Sequence, residues 1–514
     1  MAGGNINSNK IVVMNLVFSA AALIVMNGLS FFISPYIVQT LGVEANGFVS
    51  LAKNFLNYAL IITTALNSMA GRFVTIEIHK NNRDKAEIYY NSTLITNQVF
   101  AITFLVVAAI FIANFSRFVN VSAYMKVDVR LLFSLVFLNF IIGLSANVFQ
   151  ICYFAKNKLY LSSFRDLIGA FVRAITLAIL FTAFSPRIYY VGIAVVANIL
   201  FVIFYDYICK RSIAPELVFR MSKFRIKSVL EIMFAGFWNS INQLGSILNS
   251  GLDLLISNLF IGSQEMGVLA LSKLMPQMIF MISAALSNSF SSKIAIHYAK
   301  EDKQGIDSSF KLAANALAII MTIPIGIFLA LGRDFFSLWQ PTQDANRLNT
   351  LAIIILIPYA FTISLTIIFQ IFMIENKLKY SSIINLIFGF VNIALVLIFI
   401  KFTNLGLYAV PLSSGMAFLV RNLFFDFPFA SKLLKKKKRY LWKLSFKTAF
   451  AVTYIFIISR IITYFVNINN WITIILWISL LFIVNLYLNY IFFTNRGEKK
   501  RIIDIIKKRL YFIK

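Results

Sequence analysis

Three cations inside apolar stretches of this chain have the placement of a binding site: Lys53, Arg173 and Lys273. Lys53 is followed four residues later by Asn57, and Lys273 four residues later by Gln277. Four residues is about one helical turn, so each pair would share one helix face. An ammonium with an amide one turn on offers several donors to an anion such as a phosphate. Snorkelling is the plainer alternative. Counted from Gly47 and Gly267, each lysine lies about 9 Å inside its segment, and a four-carbon stem reaches the interface from there. The recurrence of the pair favours binding. Arg173 stands about ten residues into its own stretch. A guanidinium so placed is charged and must face the protein interior, either toward a ligand or toward a buried partner.

A polar stripe accompanies these cations. Asn239, Asn242, Ser246, Asn249, Asp253 and Ser257 are spaced by 3, 4, 3, 4 and 4 and fall on one helical face. Such a face cannot meet lipid cheaply. Interhelical hydrogen bonding is one reading; the length of the stripe favours the wall of a hydrated cavity. A weaker counterpart runs through Asn15, Ser19, Asn27, Ser30 and Ser34. Of the other cations in apolar stretches, Arg421 is placed to pair with Asp426, and Arg460 to snorkel.

No catalytic constellation accompanies them. His79 and His297 fall in polar loops, Cys152 and Cys209 in or beside apolar segments, and no GxxxxGK[ST] phosphate loop occurs. The expectation is a non-enzyme with no cofactor and no metal, driven by a gradient or a partner.

The elements that must position these residues are transmembrane helices. The chain has 514 residues, 60% hydrophobic and 13% charged, with mean hydropathy +0.81, where soluble domains carry about 25% charged residues. Long uncharged runs of about 20 residues read as membrane-spanning helices, and the alternating ten-residue pattern of a barrel is absent. The fold class is an all-α integral membrane protein. Fourteen spans are expected, at about 11–38, 48–70, 92–115, 131–155, 164–184, 188–208, 229–260, 266–291, 310–331, 350–374, 382–400, 404–426, 448–466 and 471–493. The first reads as a retained span rather than a cleaved leader.

Basic residues give the orientation. Of 48, the N-terminus, the loops after even-numbered spans and the C-terminal tail hold 36, and the opposite loops hold seven. The positive-inside rule therefore puts both termini in the cytoplasm. The net charge of +28 is explained by topology and anionic headgroups rather than by nucleic acid. The run Lys435–Arg439 reads as a solvated juxtamembrane patch, and Lys499–Lys514 as a surface amphipathic helix.

The chain also repeats. Leu41-Gly42, Gly47, Leu51 and Lys53 match Ile261-Gly262, Gly267, Leu271 and Lys273 at an offset of 220. Phe149-Gln-Ile151 recurs as Phe369-Gln-Ile371, Asn157-Lys-Leu159 as Asn376-Lys-Leu378, Ser162-Ser163 as Ser381-Ser382, and Asp206 as Asp426. Two parallel six-helix units follow, at 1–226 and 227–445, with two extra spans and a basic tail at 446–514. Parallel repeats are a transporter architecture, with the substrate site at the repeat interface and alternating access by rocking.

These residues resemble a known family. Pro35, Leu41-Gly42, Asn46-Gly47-Phe48, Arg72 before Asn82–Lys85, Phe335-Phe-Ser-Leu-Trp339 and the repeated Gln-Ile…Asn-Lys-Leu segments are similar to bacterial polysaccharide exporters and O-antigen flippases. These belong to the multidrug/oligosaccharidyl-lipid/polysaccharide exporter superfamily, and the resemblance covers essentially the whole chain. It implies V-shaped lobes around a cationic cavity, and flipping of an undecaprenyl-diphosphate-linked oligosaccharide to the outer leaflet of the inner (cytoplasmic) membrane. O-antigen, capsule or a similar lipopolysaccharide or surface-glycan repeat unit is the implied cargo. The implied partners are membrane lipids, a polysaccharide polymerase and glycosyltransferases, with no nucleic acid, and a monomer is expected. Related lipid II flippases carry basic cavity residues on spans 1, 2 and 8. Lys53 and Lys273 fall on spans 2 and 8, but span 1 has none beyond Lys10, which argues against lipid II.

Lys53, Asn57, Arg173, Asn239, Asn242, Asn249, Asp253, Lys273 and Gln277 are thus the expected cavity residues. Arg173 would meet the diphosphate near the midplane, and the lysines would meet it later, toward the outer end. A multidrug/cation antiporter is the alternative within the superfamily. It would need buried carboxylates, and Asp253 alone lies well inside a span. A non-transporting scaffold is a third class.

Overall fold

The computed structural model describes Val25, residues 28–466 and residues 468–494, apart from the side chains of Ile62 and Ser292. Asn15, Ser19 and Asn27 of the weaker stripe, and the tail Lys499–Lys514, lie outside the described residues. Among the described residues the chain is helical, with no strand. The helices are α1 Gly28–Leu41, α2 Val43–His79, α3 Arg83–Ala113, α4 Ala123–Ala155, α5 Leu159–Ala183, α6 Tyr190–Ile213, α7 Ile226–Ser246, α8 Asp253–Phe260, α9 Ser263–Ala299, α10 Lys303–Trp339, α11 Ala345–Leu365, α12 Leu378–Phe402, α13 Gly406–Leu433, α14 Arg439–Tyr464 and α15 Trp471–Phe493.

Eleven of these helices are long and apolar enough to cross a membrane, and α2, bent by 64° between Val43–Ile61 and Thr63–His79, makes twelve. The expected count of fourteen is not reached by that measure. The described part of α1 is too short to cross alone. The expected seventh span is split into α7 and α8, and its polar stripe lowers its apolarity.

The repeat is visible in backbone geometry. Asn81 and Glu301, 220 apart, are both left-handed, at φ 58° and 54°. Each is followed by a residue that caps the next helix: the Asn82 side chain accepts from Lys85 N, and the Asp302 side chain from Gly305 N. Asn157 and Asn376 form a second left-handed pair, at φ 52° and 54°. Gly42 and Gly262, at φ 87° and 148°, precede α2 and α9, where a Cβ would be strained. Asp206 and Asp426 are both buried beside arginines: Arg165 Nη1 reaches both Asp206 oxygens at 2.8 and 2.7 Å, and Arg421 Nε lies 3.2 Å from Asp426 Oδ2.

The helices divide into two compact units. The first runs to Leu271 and includes Asn385–Val410; the second is Ser272–Ile384 with the chain from Pro411 onward. In the first unit, Leu66, Val74, Tyr90, Ile151, Tyr153 and Ile232 form one buried cluster. Phe55, Phe104, Phe111, Phe133 and Phe137 form a second, through mostly edge-to-face or tilted contacts. In the second unit, α14 and α15 dock on α10 through Ile323, Ile327, Leu331, Ile455 and Leu481. Polar groups fix that contact: Asn489, fully buried in α15, donates to Ile319 O at 2.8 Å and Thr322 Oγ1 at 2.9 Å. An unpaired amide would be costly in lipid.

Candidate functional site

Helices α2 and α7 break side by side. No proline stands near the 64° bend of α2 at Ile61–Thr63. Hydroxyls do: Thr63 and Thr64 Oγ1 return to Leu60 O at 3.2 and 2.6 Å, and Ser240 Oγ of α7 donates to Ile61 O at 2.9 Å. Side chains inserted into a helix ladder are a known cause of bending. α7 in turn ends in a wide π turn, Ile247–Gly251, closed by Leu252 N to Ile247 O at 3.0 Å. Gly251 O receives Tyr58 Oη at 2.6 Å and Asn54 Nδ2 at 3.1 Å, both from α2. Each broken helix therefore caps a carbonyl of the other. The approach is close: a Cβ on Gly236 would sit 1.9 Å from Ala65 O. Glycine is required there because small residues let membrane helices touch backbone to backbone. π turns recur at functional sites.

The polar stripe lies against this junction and against α12. Asn385 Nδ2 is 3.0 Å from Asn242 O, 3.1 Å from Asn242 Oδ1 and 3.1 Å from Ser246 Oγ. Asn249 Nδ2 reaches Asn385 O at 2.8 Å, and Asn392 Nδ2 reaches Asn249 O at 2.8 Å. Gly245 and Gly389 allow the approach: a Cβ on Gly245 would be 2.8 Å from Asn385 C, and one on Gly389 2.5 Å from Leu248 Cβ. Asn242 and Asn249 are thus engaged between helices, as the interhelical reading has it, and Asn239 donates to Ser68 Oγ at 3.1 Å. Asp253 opens α8, 5% exposed, where a helix N-terminus favours a carboxylate, and it lies within electrostatic reach of Tyr58.

The cations are placed differently. Lys53 is exposed on α2, with Asn57, also exposed, one turn on. Arg173 on α5 is half-buried, and its Nε is buried without a hydrogen-bond partner. Lys53 and Arg173 are close enough to repel each other, and neither has an ion pair among the described residues. Three other cations in the helices are compensated: Arg165 by Asp206 and Asp166, Arg421 by Asp426, Arg460 by the carbonyl of Ala330 and the nearby charge of Asp334. The structure therefore brings Lys53 and Arg173 together, and gathers Asn239, Asn242, Asn249 and Asp253 along the α2–α7–α12 junction. Lys273, 9% exposed and engaged, and Gln277, exposed, belong to the second unit.

Sequence reasoning missed Asn54 and Tyr58, which flank Asn57, and Asn385. Asn385 and Asn392 stand seven residues apart on α12, the two-turn spacing of a shared face; that spacing was the available signal.

The comparisons with known proteins agree with this architecture. The sequence profile described as polysaccharide biosynthesis protein matches residues 12–287, more than half of the chain. The chain belongs to the polysaccharide biosynthesis protein family. It is 27% identical over 446 residues to the uncharacterized membrane protein EpsK of Bacillus subtilis (strain 168), covering 86% of this chain and 88% of that one. The lipid II flippase MurJ, in an inward closed conformation, superposes with a TM-score of 0.66 at 14% identity over 92% of this chain and 98% of its own. A multidrug resistance MATE family transporter of the MOP superfamily, inward-facing, superposes with a TM-score of 0.65 at 13% identity over 82% and 99%. At such identities the likeness shows the fold alone. This member of the polysaccharide biosynthesis protein family is a multi-pass membrane protein with the fold of flippases and transporters.

Proposed function

We propose that the chain is a flippase that carries an undecaprenyl-diphosphate-linked oligosaccharide, the repeat unit of an O-antigen, capsule or similar surface glycan, from the cytoplasmic to the outer leaflet of the inner membrane. The observation that carries the reading is the uncompensated pair Lys53 and Arg173. Two cations on membrane helices, with no carboxylate paired to either among the described residues, favour a ligand that brings its own negative charge, and a diphosphate does so. Asn57 supplies an amide beside them, and the sugars meet the polar groups of α2 and α7. The polyprenyl tail stays in lipid while the head crosses by alternating access of the two repeats. Lys273 and Gln277 serve as a second contact. Both termini lie in the cytoplasm, and the monomer works beside a polymerase and glycosyltransferases.

The MATE-like fold favours a second reading, a multidrug/cation antiporter. An uncompensated cation pair would repel a cationic drug. Proteoliposomes decide between them. The flippase reading expects movement of a diphosphate-linked oligosaccharide and none of a cationic dye; sodium- or proton-driven dye efflux without glycolipid movement would replace it.

A further inference from the structure

The two glycines that repeat at an offset of 220 meet each other. A Cβ on Gly47 would lie 2.8 Å from Gly267 Cα, and one on Gly267 would lie 2.2 Å from Val43 O. The backbones of the opening turns of α2 and α9 thus touch, with the Met266 side chain packed against the contact: a Cβ on Gly47 would also lie 2.8 Å from Met266 Cε. The charge distribution assigns this end of the helices to the outer face. Phe48, Leu51, Met266 and Leu269, none of them exposed, fill the space beside the contact.

A polar clasp stands at the same end. Asn258, in the last turn of α8, is fully buried. Its Oδ1 accepts from the Asn120 backbone N–H at 2.8 Å, and its Nδ2 donates to Asn120 O at 2.8 Å. One side-chain amide therefore matches both groups of one residue's backbone, as a neighbouring strand would. The Asn120 side chain returns the contact, donating to Asn258 O at 3.2 Å and Leu259 O at 3.3 Å, among the last-turn carbonyls of α8. The segment bearing Asn120 is fixed in turn by Glu44 in the first turn of α2, 2% exposed. Its carboxylate accepts from Ser122 N at 3.2 Å, Ser122 Oγ at 2.9 and 2.8 Å, and Tyr124 Oη at 3.3 Å.

We propose that the Asn120–Asn258 clasp, positioned by Glu44 and closed tight by the Gly47–Gly267 contact, is a latch that shuts the outer end of the path over Lys53 and is released once in each transport cycle. The bonds between Asn120 and α8 are neutral amide and peptide contacts that water can replace at a membrane surface, so the closed and open forms differ by little and exchange. Lys53 lies six residues beyond Gly47, about 9 Å along α2, so the latch controls access to it from outside. The proposal rests on the reading of Lys53 as facing the transport path.

The test uses the full chain in intact cells, with Cys152→Ala, Cys209→Ser and Lys53→Cys, and a membrane-impermeant maleimide added outside. With the latch intact, labelling at position 53 is expected to be slow. Asn258→Ala is expected to raise its rate at least ten-fold, and Glu44→Gln, which keeps the side chain's shape, by a smaller factor. In a second arm that retains Lys53, an oxidised Asn120→Cys, Asn258→Cys pair is expected to arrest export of lipid-linked glycan, and reduction to restore it. Labelling that stays within two-fold of the parent in folded Asn258→Ala protein would overturn the latch, as would export at the parent rate by the cross-linked pair. If labelling rises as expected but the parent chain moves no lipid-linked glycan, the latch stands and the substrate reading falls.

Discussion

Lys53 and Lys273 occupy the same position in two copies of one sequence unit, yet their surroundings differ. Lys53 is exposed, has no ion pair among the described residues, and lies within reach of the Arg173 charge. Lys273 is 9% exposed and engaged. The partner positions diverge too. Arg173 is matched in the second copy by Asn392, which is 1% exposed and donates to Asn249 O at 2.8 Å and Leu248 O at 3.2 Å. Where one copy keeps a half-buried cation with no counter-charge among the described residues, the other uses a neutral amide to hold two helices together. At the Arg173/Asn392 position, one copy therefore carries a charge and the other a packing amide.

This difference can be broken experimentally. The largest expected effect is from Lys53→Ala with Arg173→Gln. Each removes a charge-assisted contact worth about 1.5–3 kcal/mol, roughly ten- to a hundred-fold each, so reconstituted glycolipid flipping should fall by about a hundred-fold or more. Lys273→Ala should cost much less, about three-fold, if the anion is read in the first copy; equal losses in both would erase the asymmetry. Next is Gly236→Val, whose Cβ would strike Ala65 O at 1.9 Å. It should lower the stability of detergent-solubilised protein by about 3 kcal/mol, measured by thermal unfolding, and leave transport per folded molecule impaired as well. Asn385→Ala should cost about 1–3 kcal/mol because it removes the donor to Asn242 Oδ1 and Ser246 Oγ, while Asn57→Ala, on an exposed amide, should leave stability unchanged.

The smallest effect concerns the loop before α10. The Asp302 carboxyl is held below the usual carboxylate range by the Gly305 N–H and then by the His297 ring. A depressed folded-state value stabilises the fold above the unfolded value, about 3.9, and that stabilisation is lost as pH falls through the folded value. Asp302→Asn should therefore unfold at a lower temperature than the parent at neutral pH, and the two should converge in acid. A difference that persists at low pH would remove the carboxylate from the account.

Much of this was legible in the chain. Hydropathy gave the membrane helices, and the 220-residue offset located Gly47 and Gly267, which proved to touch. The same repeat, slipped to an offset of 219, located the left-handed turns at Asn157 and Asn376, where Asn-Lys-Leu recurs. The isolation of Arg173 was half legible: its depth excluded lipid, but whether a carboxylate faced it depended on α6 and its neighbours. The stripe on α7 shows the limit. Periodicity says that Asn242, Ser246 and Asn249 share a face, not what the face meets, and α12 was hidden because Asn385 and Asn392 sit in an otherwise apolar run. The bend of α2 was hidden for a similar reason. Ser240 of another helix donates to its Ile61 carbonyl, and Thr63-Thr64 alone is an ordinary pair in a membrane segment.

The most direct test is flipping in proteoliposomes that contain the purified full chain and an undecaprenyl-diphosphate-linked oligosaccharide, assayed beside a glycolipid with the same sugars and an uncharged linkage. The account predicts that the parent chain moves the diphosphate-linked lipid at least ten-fold faster, and that Lys53→Ala with Arg173→Gln abolishes this preference. A parent chain that moves both lipids equally, or a double variant that keeps the preference, would contradict it.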